Sequence, residues 1–508
     1  MAPSVPLYVP LPTLRTQLDD FHAFLNDYYN LQLSTYHELH EFSITQSNAF
    51  WMAFWQFAGV KASKHPSKAI DDNAAIDDFP AFFEDARLNF AENLLHGRDD
   101  DVAVIEMNEQ NMHSPEKYTW KQLRQLVARY AGVLERAGVT MGDVVVVVGG
   151  NCARSLAFML AAASRGSIFS SFATEIGEKA LNDRLQQLLP KLLIAELVYC
   201  YNGSTYDVSE QVLRCFRTLE QKHSTQLIVS YCLPDQHPTL AKLDALVSRE
   251  SASSLTFAQV SFSTPFVVMF SSGTTGLPKG IVHSQGGLLL NGLKEHLLHN
   301  DFGPHDIHFH YSGIGWTLWN ISLGALLCGS TMLLYDGAPS YPSHDRFLRA
   351  VFKTGVTAFG CGPRYFSELQ KRGVRPREYA PGLRSVLSTG ALLTPGTARW
   401  LAEAFGPVCQ INFSGGTELC GSFMTGVLTM PSYAGEIAVK ALGMDVDAFD
   451  NAGRSVPDGE AGELVCKKPF PNMPIALWND ADNSRYRKSY FTQFPGKRGV
   501  IVSELAQL

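Results

Sequence analysis

Val267-Val268-Met269-Phe270-Ser271-Ser272-Gly273-Thr274-Thr275-Gly276-Leu277-Pro278-Lys279-Gly280-Ile281-Val282-His283 is the stretch from which the rest of the chain can be read. An apolar, β-branched run stops at a loop of hydroxyls and glycines carrying one lysine, and a second apolar run follows. The pattern predicts a loop slung between two buried strands. Such a loop suits a phosphate. Glycines let backbone N–H groups turn toward an anion with no Cβ in the way, Ser271, Ser272, Thr274 and Thr275 add hydroxyl donors, and Lys279 supplies positive charge. An ordinary turn collects the same residue types, but the order here is more restrictive. Lys279 is followed by Gly280 rather than Ser or Thr, and no Walker glycine spacing precedes it, which excludes the kinase and GTPase class built on that loop. The expected ligand is a polyphosphate.

The bulk properties fit a globular protein of about three domains or subdomains. The chain has 508 residues, 45% of them hydrophobic, enough to bury several cores. A net charge of -7 offers no general attraction for nucleic acid or an anionic membrane, so phosphate binding has to be local. Nine cysteines are scattered without a C-x-x-C pair, and the first residues have neither a basic n-region nor a long apolar core. No apolar run reaches membrane-spanning length. The expected setting is the cytoplasm, with small-molecule substrates.

Residues from about Leu18 to Phe57 read as short amphipathic helices rich in aromatic residues and histidine. Ala86 to Leu95 reads as a helix, and Tyr118 to Ala137 as a longer one ending at Gly138. From Asp143 buried strands alternate with helices. Val144 to Val148 is a continuous apolar run, Asn151 is placed to cap the next helix, and Ile168 to Phe172 is the next strand. The alternation recurs at Gln226 to Tyr231, Val267, Thr331 to Tyr335, Val356 to Phe359, Leu383 to Leu387 and Val408 to Phe413. That is an α/β pattern with open, mostly parallel sheets, whose ligands bind beyond the carboxyl ends of the strands.

Three such ends are small and hydroxylated: Ser388 to Leu392, Asn412 to Glu418, and Tyr311 to Trp316. Glu418 suits Mg²⁺, which takes one or two carboxylates plus substrate phosphates. A first-turn acid answering a helix dipole is the competing reading; beside the phosphate loop the metal reading is favoured. His308 and His310 share one strand face but make only two ligands, and His37 and His40 likewise lack a third. Cys361 and Cys420 have no histidine partner placed by the sequence. None of these six is assigned a role.

With these residues in hand, Ser271 to Gly280 resembles the signature loop of the adenylate-forming enzymes, the superfamily of acyl-CoA synthetases, luciferases and peptide-synthetase adenylation domains. Within it the chain resembles the acetoacetyl-CoA synthetase family from about residue 20 to about 496. The resemblance is carried by Tyr36-His37-Glu38-Leu39-His40 with Phe50-Trp51, by Leu181-Asn182-Asp183-Arg184, by Ser414-Gly415-Gly416-Thr417-Glu418, and by Pro469-Phe470-Pro471-Asn472-Met473-Pro474 with Trp478-Asn479-Asp480. It implies a helical N-terminal cap over 1–85 and an AMP-binding domain over 86–496. The fold it implies is two packed αβ sheet subdomains and a small β subdomain.

The chemistry the resemblance implies is ATP-dependent activation of acetoacetate to an acyl adenylate, followed by transfer to coenzyme A. On that pattern Lys279, Thr275 and Glu418 are catalytic, and Thr274 or Thr275 with Glu418 holds Mg²⁺. Ser271, Ser272, Gly273, Thr274, Thr275, Gly276 and Lys279 hold the phosphates. Gly390, Ala391 and Leu392 with Asn412, Phe413, Ser414, Gly415, Gly416 and Thr417 surround AMP, although Ala391 stands where acetate-activating relatives carry an acid. Trp316 and Gly415 line the acid pocket, and Gly415, where those relatives carry tryptophan, is expected to leave volume for a four-carbon β-keto acid. The family continues past Gly496 with a ribose-binding aspartate, a hinge and a small lid domain. Lys497 to Leu508 resembles none of it, so the lid is expected to be absent. Two readings follow: a ligase of reduced activity, or a nucleotide-binding remnant or regulatory partner without catalysis.

Overall fold

The structure, a computed structural model, describes residues 5–233, 237–250, 255–271 and 278–494, and the backbone of a strand at 501–507. Among these residues the chain builds two seven-stranded sheets and smaller antiparallel pieces. In the first sheet the strands run in the order Gln226–Tyr231, Leu192–Glu196, Val144–Gly149, Ile168–Ala173, Pro265–Ser271, Lys279–Ser284, Ala476–Leu477. The first five are parallel, Lys279–Ser284 runs against them, and Ala476–Leu477, antiparallel to Lys279–Ser284, runs with the first five again. The second sheet runs Cys409–Asn412, Ser385–Ser388, Ala358–Gly360, Ile307–His310, Thr331–Asp336, Val102–Asn108, Glu116–Thr119, and only its last pair is antiparallel. The continuous valine run of Val144–Gly149 is buried along its whole length, as a central parallel strand covered on both faces requires.

The expected α/β class, two αβ sheets and a small β piece is therefore the architecture found. The small piece pairs Val446–Phe449 with Glu463–Cys466, which in turn pairs with the strand at 501–507. At the N-terminus three helices, Gln17–Tyr29, Tyr36–Thr45 and Ser47–Phe57, pack through Phe21, whose ring meets Phe50 and Phe54 edge-on at 5.6 and 5.5 Å. Thr16 with Asp19 and Thr35 with Glu38 start the first two as reciprocal capping boxes. Among the described residues no helix is long and apolar enough to cross a membrane.

Two local expectations change. The segment read as a helix from Ala86 begins as a short strand at Arg87–Leu88, and the helix is only Phe90–Leu94, started by the Asn89 side chain. Asn151 does not cap the helix Ala153–Arg165; its amide instead donates to the Ser312 carbonyl and accepts from the Trp319 indole. The backbone N–H groups that lead into and open that helix go to three carboxylates. Glu196 accepts from Gly150 at 3.0 Å, Asp336 from Asn151 at 3.2 Å and Glu106 from Ala153 at 2.8 Å. Glu196 ends a strand of the first sheet, whereas Glu106 and Asp336 lie on the second, so the helix dipole ties the two sheets together. Arg154 stands 3.8 Å from Glu196. Burial, and after it the neighbouring Glu196, pushes the Asp336 carboxyl up to about 7.

Candidate active site

The hydroxyl- and glycine-rich loop lies between the strands expected to flank it, which pair antiparallel with Ser271 opposite Lys279 and Phe270 opposite Gly280. Ser272 to Gly276, and with them Thr274 and Thr275, fall outside the described residues. Gly280 is required where it stands: a Cβ there meets the Trp478 Cβ at 2.9 Å and the Val268 Cγ1 at 3.2 Å. Lys279 opens the returning strand, and its Nζ lies over the Tyr490 ring, 5.0 Å from the centroid.

Strand alternation puts Lys279, Ile281 and His283 on one face. His283 is fully buried, and burial pushes its imidazole down to about 4, so it is neutral at ordinary pH. Its Nε2 meets the Thr417 carbonyl at 2.7 Å. The strand that carries the lysine is thereby fixed to the loop that carries Glu418. Thr317, next to Trp316, donates to the Thr417 hydroxyl at 3.0 Å. Thr389 donates to the Phe413 carbonyl at 2.8 Å. The strand ends singled out in the sequence are in this way joined into one edge.

Glu418 is buried, with 7% of its surface exposed, and its Oε1 accepts the Tyr490 hydroxyl at 3.0 Å. Gly390, Ala391 and Leu392 form an exposed rim after the strand Ser385–Ser388, with Gly390 at φ +85 where a side chain is strained. Asn412 ends its strand, and Ser414 pairs with Met424 beyond it. Gly416 accepts from the Cys420 backbone at 3.0 Å, turning the chain around Thr417 and Glu418. Among the described residues, the buried oxygens Ser271 Oγ, Ser388 Oγ and Asn412 Oδ1 have no hydrogen-bond partner, as expected of groups aimed at a polar ligand. The buried carboxylate of Glu418 is an oxygen donor of the kind Mg²⁺ takes alongside substrate phosphates.

Behind the loop lies a buried polar clamp. Glu295 accepts from the Ser422 backbone at 3.0 Å and its hydroxyl at 2.7 Å, and pairs with Lys294 and His299, each at 3.0 Å. Despite its burial, these partners hold the Glu295 carboxyl well below the usual range. Asn291 donates to the Leu419 and Cys420 carbonyls.

The two residues expected to shape the acid pocket are placed differently. Trp316 is 71% exposed and walls a cavity of about 350 Å³ with Phe172, Arg184, Met269, Phe270 and Asn320. Gly415 does not line that cavity. A Cβ at 415 comes within 1.9 Å of the Gly421 carbonyl oxygen, so the space a side chain there would claim is already occupied by backbone. Cys361 and Cys420 are buried thiols pushed up by desolvation, and His308 and His310 are buried imidazoles pushed down. No cluster of three or more metal-ligating groups occurs among the described residues.

Sequence reasoning missed His283 and Tyr490. A histidine four positions past the lysine, in an otherwise apolar strand, was a usable signal for the first. Nothing local marked Tyr490, which reaches Glu418 from 72 positions away.

Comparison with known proteins bears on the whole chain. A family model described as AMP-binding enzyme matches residues 91–473, and one described as acetyl-coenzyme A synthetase N-terminus matches 36–94. The acetoacetyl-CoA synthetase of Mus musculus is 37% identical over 493 residues, covering 95% of this chain and 73% of its own length. The acetoacetyl-coenzyme A synthetase of Rhizobium meliloti (strain 1021) is 34% identical over 96% of this chain and 76% of its own. The solved structure of an acetoacetyl-CoA synthetase from Streptomyces lividans superposes with a TM-score of 0.92 at 33% identity, covering 98% of this chain and 77% of that one.

Proposed function

We infer the reaction from the premise that this chain belongs to the acetoacetyl-CoA synthetases of the AMP-binding enzyme family: it is an acid-thiol ligase that joins acetoacetate to coenzyme A at the expense of ATP. The observation that carries the site assignment is the joining of Lys279, Tyr490 and Glu418 at the strand ends, with His283 fixing the lysine strand to Thr417.

In this reading residues 271–279 hold the triphosphate while the acid's carboxylate attacks the α-phosphorus in line. The bond from that phosphorus to the bridging oxygen breaks, and pyrophosphate leaves. Lys279 and the loop's donors meet the charge that develops on the leaving group. Mg²⁺, when bound through Glu418 and a loop threonine, supplies further neutralisation of phosphate charge. Gly390 to Leu392 and Asn412 to Thr417 form the walls of the nucleotide cleft, where the buried hydroxyl of Ser388 and the Oδ1 of Asn412 are available to a polar ligand. The thiol of coenzyme A then attacks the acyl carbon, and AMP leaves. The cavity walled by Trp316 combines apolar groups from Phe172, Met269 and Phe270 with polar ones from Ser171, Arg184 and Asn320, which suits a short β-keto acid.

We assign 1–85 to a helical cap and 86–496 to the AMP-binding domain. We also place the protein in the cytoplasm, a reading in keeping with its nine free cysteines. The test is to supply the purified chain with ATP, Mg²⁺, coenzyme A and, in turn, acetate, acetoacetate, butyrate and octanoate, and to measure AMP and thioester. Acetoacetate is expected to give the highest kcat/KM. Nucleotide binding without AMP release for any acid overturns the ligase reading in favour of nucleotide binding without catalysis.

A further inference from the structure

Tyr490 contacts both charged groups of the site. Its hydroxyl donates to Glu418 Oε1 at 3.0 Å, and its ring lies under the Lys279 ammonium at 5.0 Å. A core aromatic with only a packing task needs no hydroxyl. Phenylalanine fills such a place without a polar atom to satisfy, whereas a buried phenol has to find an acceptor. The ring itself is held firmly. Tyr486 packs edge-on against it at 5.3 Å, and the Tyr486 hydroxyl is tied to the Pro474 carbonyl at 3.0 Å. The short helix Ser484–Tyr490 that carries both is anchored where Asp480 accepts from the Arg485 and Tyr486 backbones at 3.1 and 2.8 Å. Glu418 sits on a loop whose position is fixed, and the Tyr490 hydroxyl acts on the χ angles that remain to its carboxylate.

We propose that Tyr490 is a positioning residue that sets the Glu418 carboxylate for Mg²⁺ and shelves the Lys279 ammonium for the phosphates, so that one rigid side chain holds metal ligand and phosphate ligand in register. This rests on the assignment of Glu418 and Lys279 made above. The phenol fixes one carboxylate oxygen and so orients the other. The ring face limits the excursions of the lysine without neutralising it, because an aromatic face attracts a cation but takes no proton from it. Removing the hydroxyl alone therefore acts on the metal, and removing the ring as well acts also on the nucleotide.

The experiment uses the 508-residue chain, a non-hydrolysable ATP analogue and Mn²⁺ as the metal probe, with free Mn²⁺ read by electron paramagnetic resonance and metal-free nucleotide binding read by calorimetry. Tyr490→Phe is expected to weaken Mn²⁺ binding about 10- to 100-fold, the usual effect of losing a partner behind a metal ligand, and to leave metal-free nucleotide affinity unchanged. Tyr490→Leu is expected to weaken both. Glu418→Gln is expected to lose Mn²⁺ affinity by itself, and adding Tyr490→Phe to it should cost nothing more. Wild-type Mn²⁺ affinity in Tyr490→Phe, beside a clear loss in Glu418→Gln, overturns the role of Tyr490 while leaving the metal site standing. An additive loss in the double variant also overturns it, because the tyrosine then acts through the fold rather than through Glu418. No loss in Glu418→Gln removes the metal assignment itself. Replacing Tyr490 with 3-fluorotyrosine, which keeps the packing and changes only the strength of the phenol donor, decides the same question if the Phe variant does not fold: an altered Mn²⁺ affinity supports the role and an unaltered one ends it.

Discussion

Replacing Asp336 with asparagine should stabilise this protein at pH 8 relative to pH 5, the reverse of what removing a buried carboxylate from a helix start usually does. Asp336 shares the start of the helix Ala153–Arg165 with Glu196 and Glu106, while Arg154 lies near Glu196 and Glu175 adds further negative charge. Its carboxyl moves from 3.8 to about 7 on folding, so the folded state holds the proton more tightly than the unfolded chain. A raised carboxyl favours folding fully below pH 3.8, and that contribution drains away as pH rises to about 7. At 1.36 kcal/mol per pKa unit the whole window amounts to on the order of 4 kcal/mol, of which about 3 kcal/mol falls between pH 5 and 8. Asparagine keeps an acceptor for the Asn151 N–H and never ionises, so the variant lacks this dependence. Urea midpoints by tryptophan fluorescence at pH 5, 6, 7 and 8 for both proteins should show wild type losing ground steadily to Asp336→Asn. Parallel pH curves would mean that Asp336 ionises in the folded protein as it does in the unfolded chain, and the charge accounting at this helix start would be wrong.

Lys279→Ala should weaken ATP binding by about 1.5–3 kcal/mol, the worth of a charge-assisted contact, and equal calorimetric affinities would remove the lysine from the phosphate site. Gly415→Ala should lower thermal stability and nucleotide affinity together, because its Cβ has to displace the Gly421 carbonyl from 1.9 Å; a wild-type melting curve would show that the 415–421 loop yields freely. Glu295→Ala should destabilise by about 3–5 kcal/mol, since it strands the buried Lys294 ammonium and leaves Ser422 without its acceptor, and a soluble variant melting within a degree of wild type would contradict that.

The sheets were legible because parallel strands buried on both faces appear as unbroken apolar runs. Val144 to Val148 and Gln226 to Tyr231 could be bounded to within a residue by composition alone. Ala86 to Leu95 was misread because Arg87–Leu88 takes a strand partner from residues 260 and 261, a pairing no local pattern announces. The carboxylates at the helix start escaped notice for a related reason: Asn151 is a good cap by residue type, and the acids that displaced it arrive from three other strands. At the site, the loop and strand ends could be read from their small and hydroxylated residues. The size of the acid pocket could not, because the direction in which a Cβ at 415 points depends on the turn that brings Gly421 against it.

The second sheet takes Val102–Asn108 as a strand beside Thr331–Asp336, and the Thr331 hydroxyl reaches back to the Val102 carbonyl across 229 positions of chain. A ribosome adding about 5–20 residues per second needs roughly 10–45 s to deliver the partner after that strand has emerged. For that interval an apolar strand, completed on one side only by its hairpin with Glu116–Thr119, has an open edge while six strands of the first sheet are made between. The nascent protein should therefore lean on chaperones during synthesis. Slowing elongation between residues 120 and 330 should lower its soluble yield more than slowing it anywhere after 340.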